Sequence, residues 1–248
     1  MAMTITCPSG LTGEIRGLKG KEGKLLADRN AARLGSTFEK LLAGCWLQTM
    51  DAGVYDATGA TLDWGKVLVA DRFYALLQIR SLTFGDEYAF SMQCRHASCR
   101  EKFEWELLLR QLPVRMLSEE AKTAFKSGNR FEVKLPNDGR RVWFKLMTGA
   151  DEAKAAQALK NGRDGALLTA LALRIVEIEN VFEKDKRAFL DDMEMADAAA
   201  LLDMFDLVDG GVETTLDVEC PHCLSLQEVE LPFEKGFFLP RAKEKPPL

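Results

Sequence analysis

The chain has 248 residues, of which 47% are hydrophobic and 29% charged, a balance typical of a globular protein with one substantial core or two small ones. The longest apolar region, residues 166–178, is interrupted by Thr169, Arg174 and Glu177 and falls short of the roughly 20 apolar residues of a membrane span. The first residues, MAMTITCPSG, lack the basic start and apolar stretch of a signal peptide. We therefore expect a cytoplasmic location at synthesis and no membrane partner.

The net charge of −5 is unevenly distributed. The segment from Ala188 to Glu234 holds thirteen Asp and Glu residues and no Lys or Arg, so the rest of the chain carries a net charge of +8. A solvated helix face with the outer side of a strand pair explains this acidic block. The alternative is a docking surface for a basic partner or a neighbouring subunit, with Asp203 and Asp206 as candidate contacts.

The first third of the chain predicts a short hairpin followed by helices. Residues 4–18 contain Pro-Ser-Gly between β-capable pieces, which favours a turn or small hairpin. Apolar residues then recur at helical spacing over residues 22–50, with a break at Gly35 and Ser36. Residues 51–63 form a loop, and Asp63 can cap a helix over residues 65–80.

Two cysteines in this part are not expected to bind metal. Cys7 has no partner at metal-ligand spacing, and Cys45 lies beside Trp46 on the apolar face of the predicted helix.

The middle of the chain predicts a second hairpin and a run of helices. A short helix begins at Ser118 and ends near Phe125, and an alternating pattern over residues 130–147 predicts a hairpin whose turn is Pro-Asn-Asp-Gly. Residues 150–208 are predicted to be helical throughout, with helices at 151–161, 164–181, 186–193 and 196–207.

The end of the chain combines an aromatic pair with a polar tail. Phe237 and Phe238 are interpreted either as a lid on the core or as an exposed anchor for a partner. The last residues, 241–248, are predicted to stay disordered unless a partner orders them.

Four cysteines stand in two similar hairpin patterns. Alternating apolar runs enter and leave the pair Cys94 and Cys99, and others enter and leave the pair Cys220 and Cys223. Two knuckles that supply two thiolates each provide the ligands of a tetrahedral structural zinc site. We predict a split four-cysteine zinc ribbon, with zinc as a structural cofactor.

The energetics allow such a split site. About 120 residues separate its halves, so closing the loop between them costs roughly 4 kcal/mol. Structural zinc sites in finger peptides bind with about 10–16 kcal/mol, which exceeds that cost.

Other interpretations of these cysteines remain open. The sequence Cys-Pro-His-Cys also occurs in thiol-disulfide oxidoreductases, where a helix begins at the first cysteine, whereas here a strand-like pattern follows Cys223. A second interpretation is that the cysteines form structural disulfides. These require an oxidising compartment, and the first residues lack the features of a signal peptide. His96 and His222 lie inside the knuckles and could replace a thiolate, but we expect them to face solvent or to bond to nearby backbone.

The sequence lacks the usual catalytic patterns. Both histidines are in knuckles, no glycine-rich phosphate loop is present, and four thiolates would leave zinc no open position. We predict a protein that is not an enzyme and has no small-molecule substrate. Nucleic acid is not an expected partner, because Lys and Arg do not cluster.

These patterns predict one α+β domain over residues 1–248. Residues 86–109 and 212–234 form the split zinc ribbon, residues 110–211 form a hairpin and a largely helical insertion, and residues 241–248 form the tail.

Short motifs along the chain resemble a family of baseplate proteins from contractile-tailed bacteriophages of the T-even type. The motifs that carry the resemblance are Asp71-Arg72, Leu76-Leu77, Ile79-Arg80, Gly85, the Cys94 knuckle, Cys220-Pro221-His222-Cys223, Leu231-Pro232-Phe233 and Phe237-Phe238. The first knuckle departs from the second because four residues, not two, separate its cysteines. Asp71, Arg72 and Arg80 are interpreted as interface residues or, more simply, as an intrahelical pair and a helix C-terminal cation.

The resemblance implies a non-catalytic structural or assembly role at or near the hub of the tail baseplate, or in a related contractile injection machine. The partners it implies are other tail proteins: hub, tube or tape-measure neighbours. The implied locations are the host cytoplasm during assembly and the virion tail. The alternatives are a zinc-ribbon module that binds nucleic acid in transcription, and a CxxC thiol-disulfide oxidoreductase.

Overall fold

The computed structural model describes residues 2–27, 36–56, 62–161, 165–233 and 235–238, and the fold is α+β with several small antiparallel sheets. The described strands are β1 (Ala2–Thr6), β2 (Thr12–Arg16), β3 (Trp46–Asp51), β4 (Glu87–Gln93), β5 (Lys102–Leu108), β6 (Val114–Arg115), β7 (Phe131–Lys134), β8 (Arg141–Phe144), β9 (Ile175–Ile178), β10 (Gly211–Val212), β11 (Thr215–Glu219) and β12 (Leu226–Glu230). The described helices are α1 (Gly20–Ala27), α2 (Ser36–Cys45), α3 (Val69–Phe84), α4 (Glu119–Lys126), α5 (Gly149–Asn161), α6 (Ala166–Arg174), α7 (Lys186–Asp191), α8 (Met195–Val208) and α9 (Lys235–Phe238), with a 3₁₀ turn at Leu109–Gln111.

The N-terminal sheet has the order β1-β2-β3, and the predicted hairpin at its start is confirmed. The predicted second helix ends at Cys45, so the prediction of helix up to Met50 is wrong. The residues from Trp46 onward form β3, because the free edge of β2 offers backbone partners to this segment. The predicted break at Gly35 lies outside the described residues, and Ser36 begins α2.

The helix α3 packs in the largest core together with the N-terminal sheet, α2 and the aromatic end of the chain. The predicted helix bounds, 65–80, and the predicted cap, Asp63, are both wrong. The helix begins at Val69, whose N–H donates to the carbonyl of Met147, while Asp63 accepts the N–H of Gly65 in the preceding turn.

A second core lies between the sheet β7-β8-β9 and the helices α6 and α8. The predicted hairpin at 130–147 is confirmed, with Phe144 and Val142 fully buried. The predicted helix 164–181 is wrong in its second half, because α6 ends at Arg174 and β9 begins at Ile175. This segment is rich in β-branched residues, and it pairs with β8 in the register Phe144↔Ile175 and Val142↔Ile178.

Short elements connect these two cores. The predicted helix at Ser118 is confirmed as α4, and the Ser118 hydroxyl caps it by accepting the N–H of Ala121. The strands β6 and β10 pair across about a hundred residues of sequence and lead the chain into the second cysteine hairpin. Within the described ranges, no helix combines the length and apolar character that a bilayer span requires.

Candidate metal centre

Two separate hairpins carry the four cysteines to one place. The first is β4–β5, paired from Glu87↔Leu108 to Gln93↔Lys102, and the second is β11–β12, paired from Thr215↔Glu230 to Glu219↔Leu226. Both follow the predicted order of strand, knuckle and strand. Because Cys94 and Cys220 directly follow β4 and β11, each knuckle presents its thiols at the tip of a rigid ladder.

The four sulfur atoms lie within 4.8 Å of one another. Cys94 Sγ is 3.7 Å from Cys223 Sγ, and Cys99 Sγ is 3.9 Å from Cys220 Sγ. A zinc ion with Zn–S bonds of about 2.3 Å in a tetrahedron separates its sulfur ligands by about 3.8 Å. A disulfide requires about 2.05 Å, and all four thiols are free. The arrangement can therefore hold a metal ion.

The two knuckles have the same backbone design in spite of their different lengths. The N–H of Cys94 donates to the carbonyl of Glu101, and the N–H of Cys220 donates to the carbonyl of Ser225. The residues that follow the second cysteine of each knuckle, Arg100 and Leu224, have φ values of 55° and 60°. The longer first knuckle thus reaches the same point as the second.

Side chains hold the hairpins against each other. Cys94, Phe103, Val218, Cys220 and Val229 form a small buried cluster between them. At its rim, the N–H of Arg95 donates to the side-chain carbonyl of Gln227 over 2.9 Å. In the described part of the chain, no backbone ladder joins one hairpin to the other. A shared metal ion would therefore add a link that the sheets do not supply.

The histidines lie beside the thiol cluster and are not members of it. His96 is exposed, and its Nδ1 lies 2.9 Å from the hydroxyl of Ser98. His222 is also exposed, and its ring stands edge-on to Phe103 with the centroids 6.5 Å apart. Among the described residues, the group that can hold a metal consists of the four cysteines alone.

Cys7 and Cys45 are fully buried in the largest core, which confirms the prediction for Cys45, and Cys7 is not among the four clustered thiols. Burial raises the pKa of Cys7 well above its ordinary value and that of Cys45 to about 11. In the cluster the pKa shifts are opposed. Hydrogen bonding from Ser225 lowers the pKa of Cys223 to about 6. A backbone hydrogen bond from Glu101 lowers the pKa of Cys99 but is outweighed by desolvation and by the other three thiols, which raise it to about 12. A thiolate near neutral pH is the form that binds metal.

The second knuckle differs from a redox-active dithiol. In thiol-disulfide oxidoreductases the first cysteine stands at a helix N-terminus. Here residues 221–223 form a turn, and β12 begins at Leu226. The dipole that would activate Cys220 is therefore missing from this turn.

The sequence did not predict the environment of three charged residues on α3. Asp71 and Arg72 point to different partners, so the predicted intrahelical pair is wrong. The Asp71 carboxylate accepts the N–H and the hydroxyl of Ser9 and the hydroxyl of Tyr55. Arg72 donates to the carbonyl of Trp64 over 2.6 Å and to Glu152 over 3.1 Å.

Arg80 acts at the C-terminal end of α3, which agrees with its interpretation as a C-terminal cation. Its guanidinium donates to the carbonyls of Gly85 and Glu87 and lies 5.5 Å from the ring centre of Phe237. All three charged residues on α3 are almost completely buried. As interface residues they would require exposure, so that interpretation is wrong for this structure.

The candidate partner contacts divide into buried and exposed residues. Phe237 and Phe238 are 1% and 7% exposed and pack against aromatic rings of the largest core, so the interpretation as an exposed anchor is wrong. Their apolar surface is covered by α2, α3 and β4, which favours the lid interpretation. Asp203 and Asp206 are exposed on α8, and Asp206 pairs with Arg115 over 2.8 Å.

Comparison with known proteins identifies the family. A family model described as "T4 bacteriophage base plate protein" matches residues 2–239, nearly the whole chain. The chain therefore belongs to the T4 bacteriophage base plate protein family, and it is a phage baseplate protein that interacts with other proteins of the tail. Curated proteins and solved structures gave no significant match.

Proposed function

We propose that this chain is a non-catalytic structural or assembly component of the hub region of a contractile phage tail, stabilised by one structural zinc ion. The observation that carries the proposal is the family match over residues 2–239, combined with four thiols gathered at one point. The four ligands are Cys94, Cys99, Cys220 and Cys223. Zinc would supply a cross-link between hairpins that are distant in sequence, and four thiolates leave it no position for a substrate.

The proposed mechanism is binding. With both hairpins fixed, the ribbon and the cores beside it form a rigid body that presents surfaces to neighbouring tail proteins. No catalytic group is needed for this role. The protein would fold in the host cytoplasm and then join the baseplate.

The outer face of α8 is the proposed contact surface of the acidic block. Asp203 and Asp206 lie there between Leu202 and Leu207, which are 39% and 71% exposed. Exposed leucines beside carboxylates are typical of an interface that combines apolar burial with selection of a basic partner. We propose that a hub, tube or tape-measure neighbour covers this face.

The proposal is tested by tail assembly in infected cells. With Asp203→Lys and Leu207→Asp, we expect the protein to fold but tails to assemble in much lower yield, because the changes reverse charge and remove apolar contact on one exposed face. A control with Glu39→Lys, an exposed change on α2, should leave the yield unchanged. Normal tails that lack the protein altogether would overturn the proposed function.

A further inference from the structure

A groove of about 580 Å³ lies between the turn of the β7–β8 hairpin and the segment from Asn180 to Glu194. Its two sides are tied together by hydrogen bonds. The Asp197 carboxylate accepts the N–H groups of Asn137 and Asp138 over 2.8 and 3.1 Å, and Glu194 accepts the side chain of Asn137 over 2.6 Å. The groove is therefore preformed, and a ligand would not have to order its walls.

The groove is strongly acidic. Its described lining includes five carboxylates and a single cation: Asp138, Asp185, Asp192, Glu194, Asp197 and Arg140. Asp185 and Asp192 are exposed and make no ion pair within the described part of the chain. No three of these carboxylates lie close enough together to hold one metal ion; among the described residues, only the four cysteines do. Separated negative charges suit a ligand with several separated positive charges.

Aromatic rings give the groove an apolar component. Phe182 and Phe189 line it, and Phe182 is 73% exposed, the largest exposed fraction among the large apolar residues of the described chain. The guanidinium of Arg140 already lies 5.1 Å from the ring centre of Phe189, with its Nε 3.5 Å from Asp138. This internal contact uses the ring face and a carboxylate together to hold a cation.

We propose that the groove binds a basic peptide segment of a neighbouring tail protein, in which Lys or Arg side chains pair with Asp185 and Asp192 and an apolar side chain covers Phe182. This inference rests on the proposed function only for the identity of the neighbour as a tail protein. The site is distinct from the outer face of α8. Its specificity arises from charge complementarity, and its affinity requires burial of the exposed ring.

The first test uses purified protein and a fluorescein-labelled peptide of sequence Gly-Lys-Leu-Lys-Arg-Leu-Lys-Gly, with fluorescence anisotropy as the readout. We expect saturable binding that weakens with added salt, and about tenfold weaker binding for the protein with Asp185→Lys and Asp192→Lys. Phe182→Ala should weaken binding without changing its salt dependence. These residues are exposed, so the variants should keep the wild-type unfolding midpoint.

The matched control is Glu39→Lys with Asp217→Lys, which changes the net charge equally at exposed positions outside the groove. Binding by this control should stay within about twofold of wild type. An equal loss in both double variants would mean that net charge alone attracts the peptide, and it would overturn the groove proposal. Absence of saturable binding by the wild type would overturn it as well.

The second test identifies the natural partner. A photo-crosslinking phenylalanine derivative at position 182 is introduced into the full-length protein in phage-infected cells, and the crosslinked peptides from assembled tails are sequenced. We expect a segment of another tail protein with several Lys or Arg residues near the crosslink. A crosslinked segment without basic residues would overturn the groove proposal. If this protein binds the basic peptide but is absent from assembled tails, the proposed function alone is overturned.

Discussion

Asp71 is a fully buried carboxylate that accepts three hydrogen bonds. Among the described residues, no cation pairs with it. Burial raises its pKa, and hydrogen bonds from Ser9 and Tyr55 oppose that shift. These contacts join the β1–β2 turn, the loop after β3 and helix α3. Sequence periodicity cannot predict such a triad, because its members are 16 to 62 positions apart and no local pattern links one to another.

Asp71→Ala should destabilise the protein by about 3 kcal/mol, because it leaves the donors of Ser9 and Tyr55 buried without an acceptor. Urea unfolding of wild type and variant measures the difference. Asp203→Ala removes an exposed carboxylate and should change the stability by less than about 0.5 kcal/mol. Similar small effects for both variants would contradict the structural role of the triad.

Glu22 provides a prediction of pH dependence. Hydrogen bonding from Arg16, over 2.9 Å, lowers the pKa of the buried Glu22 to about 2, below the value of about 4.3 in an unfolded chain. Since the folded-state pKa is the lower one, the stabilisation is complete above the unfolded pKa and is lost as the pH falls toward about 2. Glu22→Gln should therefore be less stable than wild type at about pH 7, and this difference should narrow between about pH 5 and pH 3.

Urea unfolding of wild type and Glu22→Gln at each pH measures the difference between their free energies of unfolding. Any acid lability that the two proteins share cancels in this difference. A gap between Glu22→Gln and wild type that stays constant across the range would contradict the ion pair with Arg16.

At the scale of elements, the sequence predicted the hairpins and their turns better than the ends of helices. Alternation over residues 130–147 and the Pro-Asn-Asp-Gly turn are local signals, and the hairpin followed them. Trp46 and Ile175 continue the helical spacing of the residues before them, yet both begin strands. In each case a distant strand offers a free edge, and this tertiary pairing overrides the local pattern.

Two glycine substitutions test tertiary strand pairing and local helix propensity separately. In β2, a Cβ on Gly13 would overlap the ring of Trp46, which is fixed by packing against Trp64, so Gly13→Ala should destabilise by about 1–3 kcal/mol. In α1, a Cβ on Gly23 meets nothing within 4 Å, and Gly23→Ala should stabilise by about 0.5–1 kcal/mol through helix propensity. Thermal unfolding of the two variants tests both signs. A tolerated Gly13→Ala would contradict the pairing of β2 with β3.

At the scale of the whole molecule, the cysteine spacing predicted that the two hairpins come together, because two knuckles with two thiols each match the ligand number of one shared metal ion. The sequence did not reveal the packing of α3 or the acidic groove, and it left open whether Phe237 and Phe238 are a buried lid or an exposed anchor. These depend on which faces meet after folding, and many arrangements have the same local pattern.

Metal removal should weaken the whole fold. The two hairpins share side-chain packing but no ladder in the described chain, so removing a shared ion leaves a small cluster to hold them. A strong zinc chelator should lower the midpoint of thermal unfolding by about 10 °C or more. The variant with Cys220→Ser and Cys223→Ser should start from a low midpoint and show no further loss with chelator. An equal response of both proteins would mean that the chelator acts elsewhere.

Metal content tests most directly whether the four cysteines share one zinc ion, and native mass spectrometry measures it on protein purified without added metal. We expect about one zinc ion per wild-type chain and none in the variant with Cys220→Ser and Cys223→Ser, which should also unfold at a lower temperature than wild type. A folded wild-type protein that is free of metal, with all four cluster thiols open to titration, would contradict the shared zinc site.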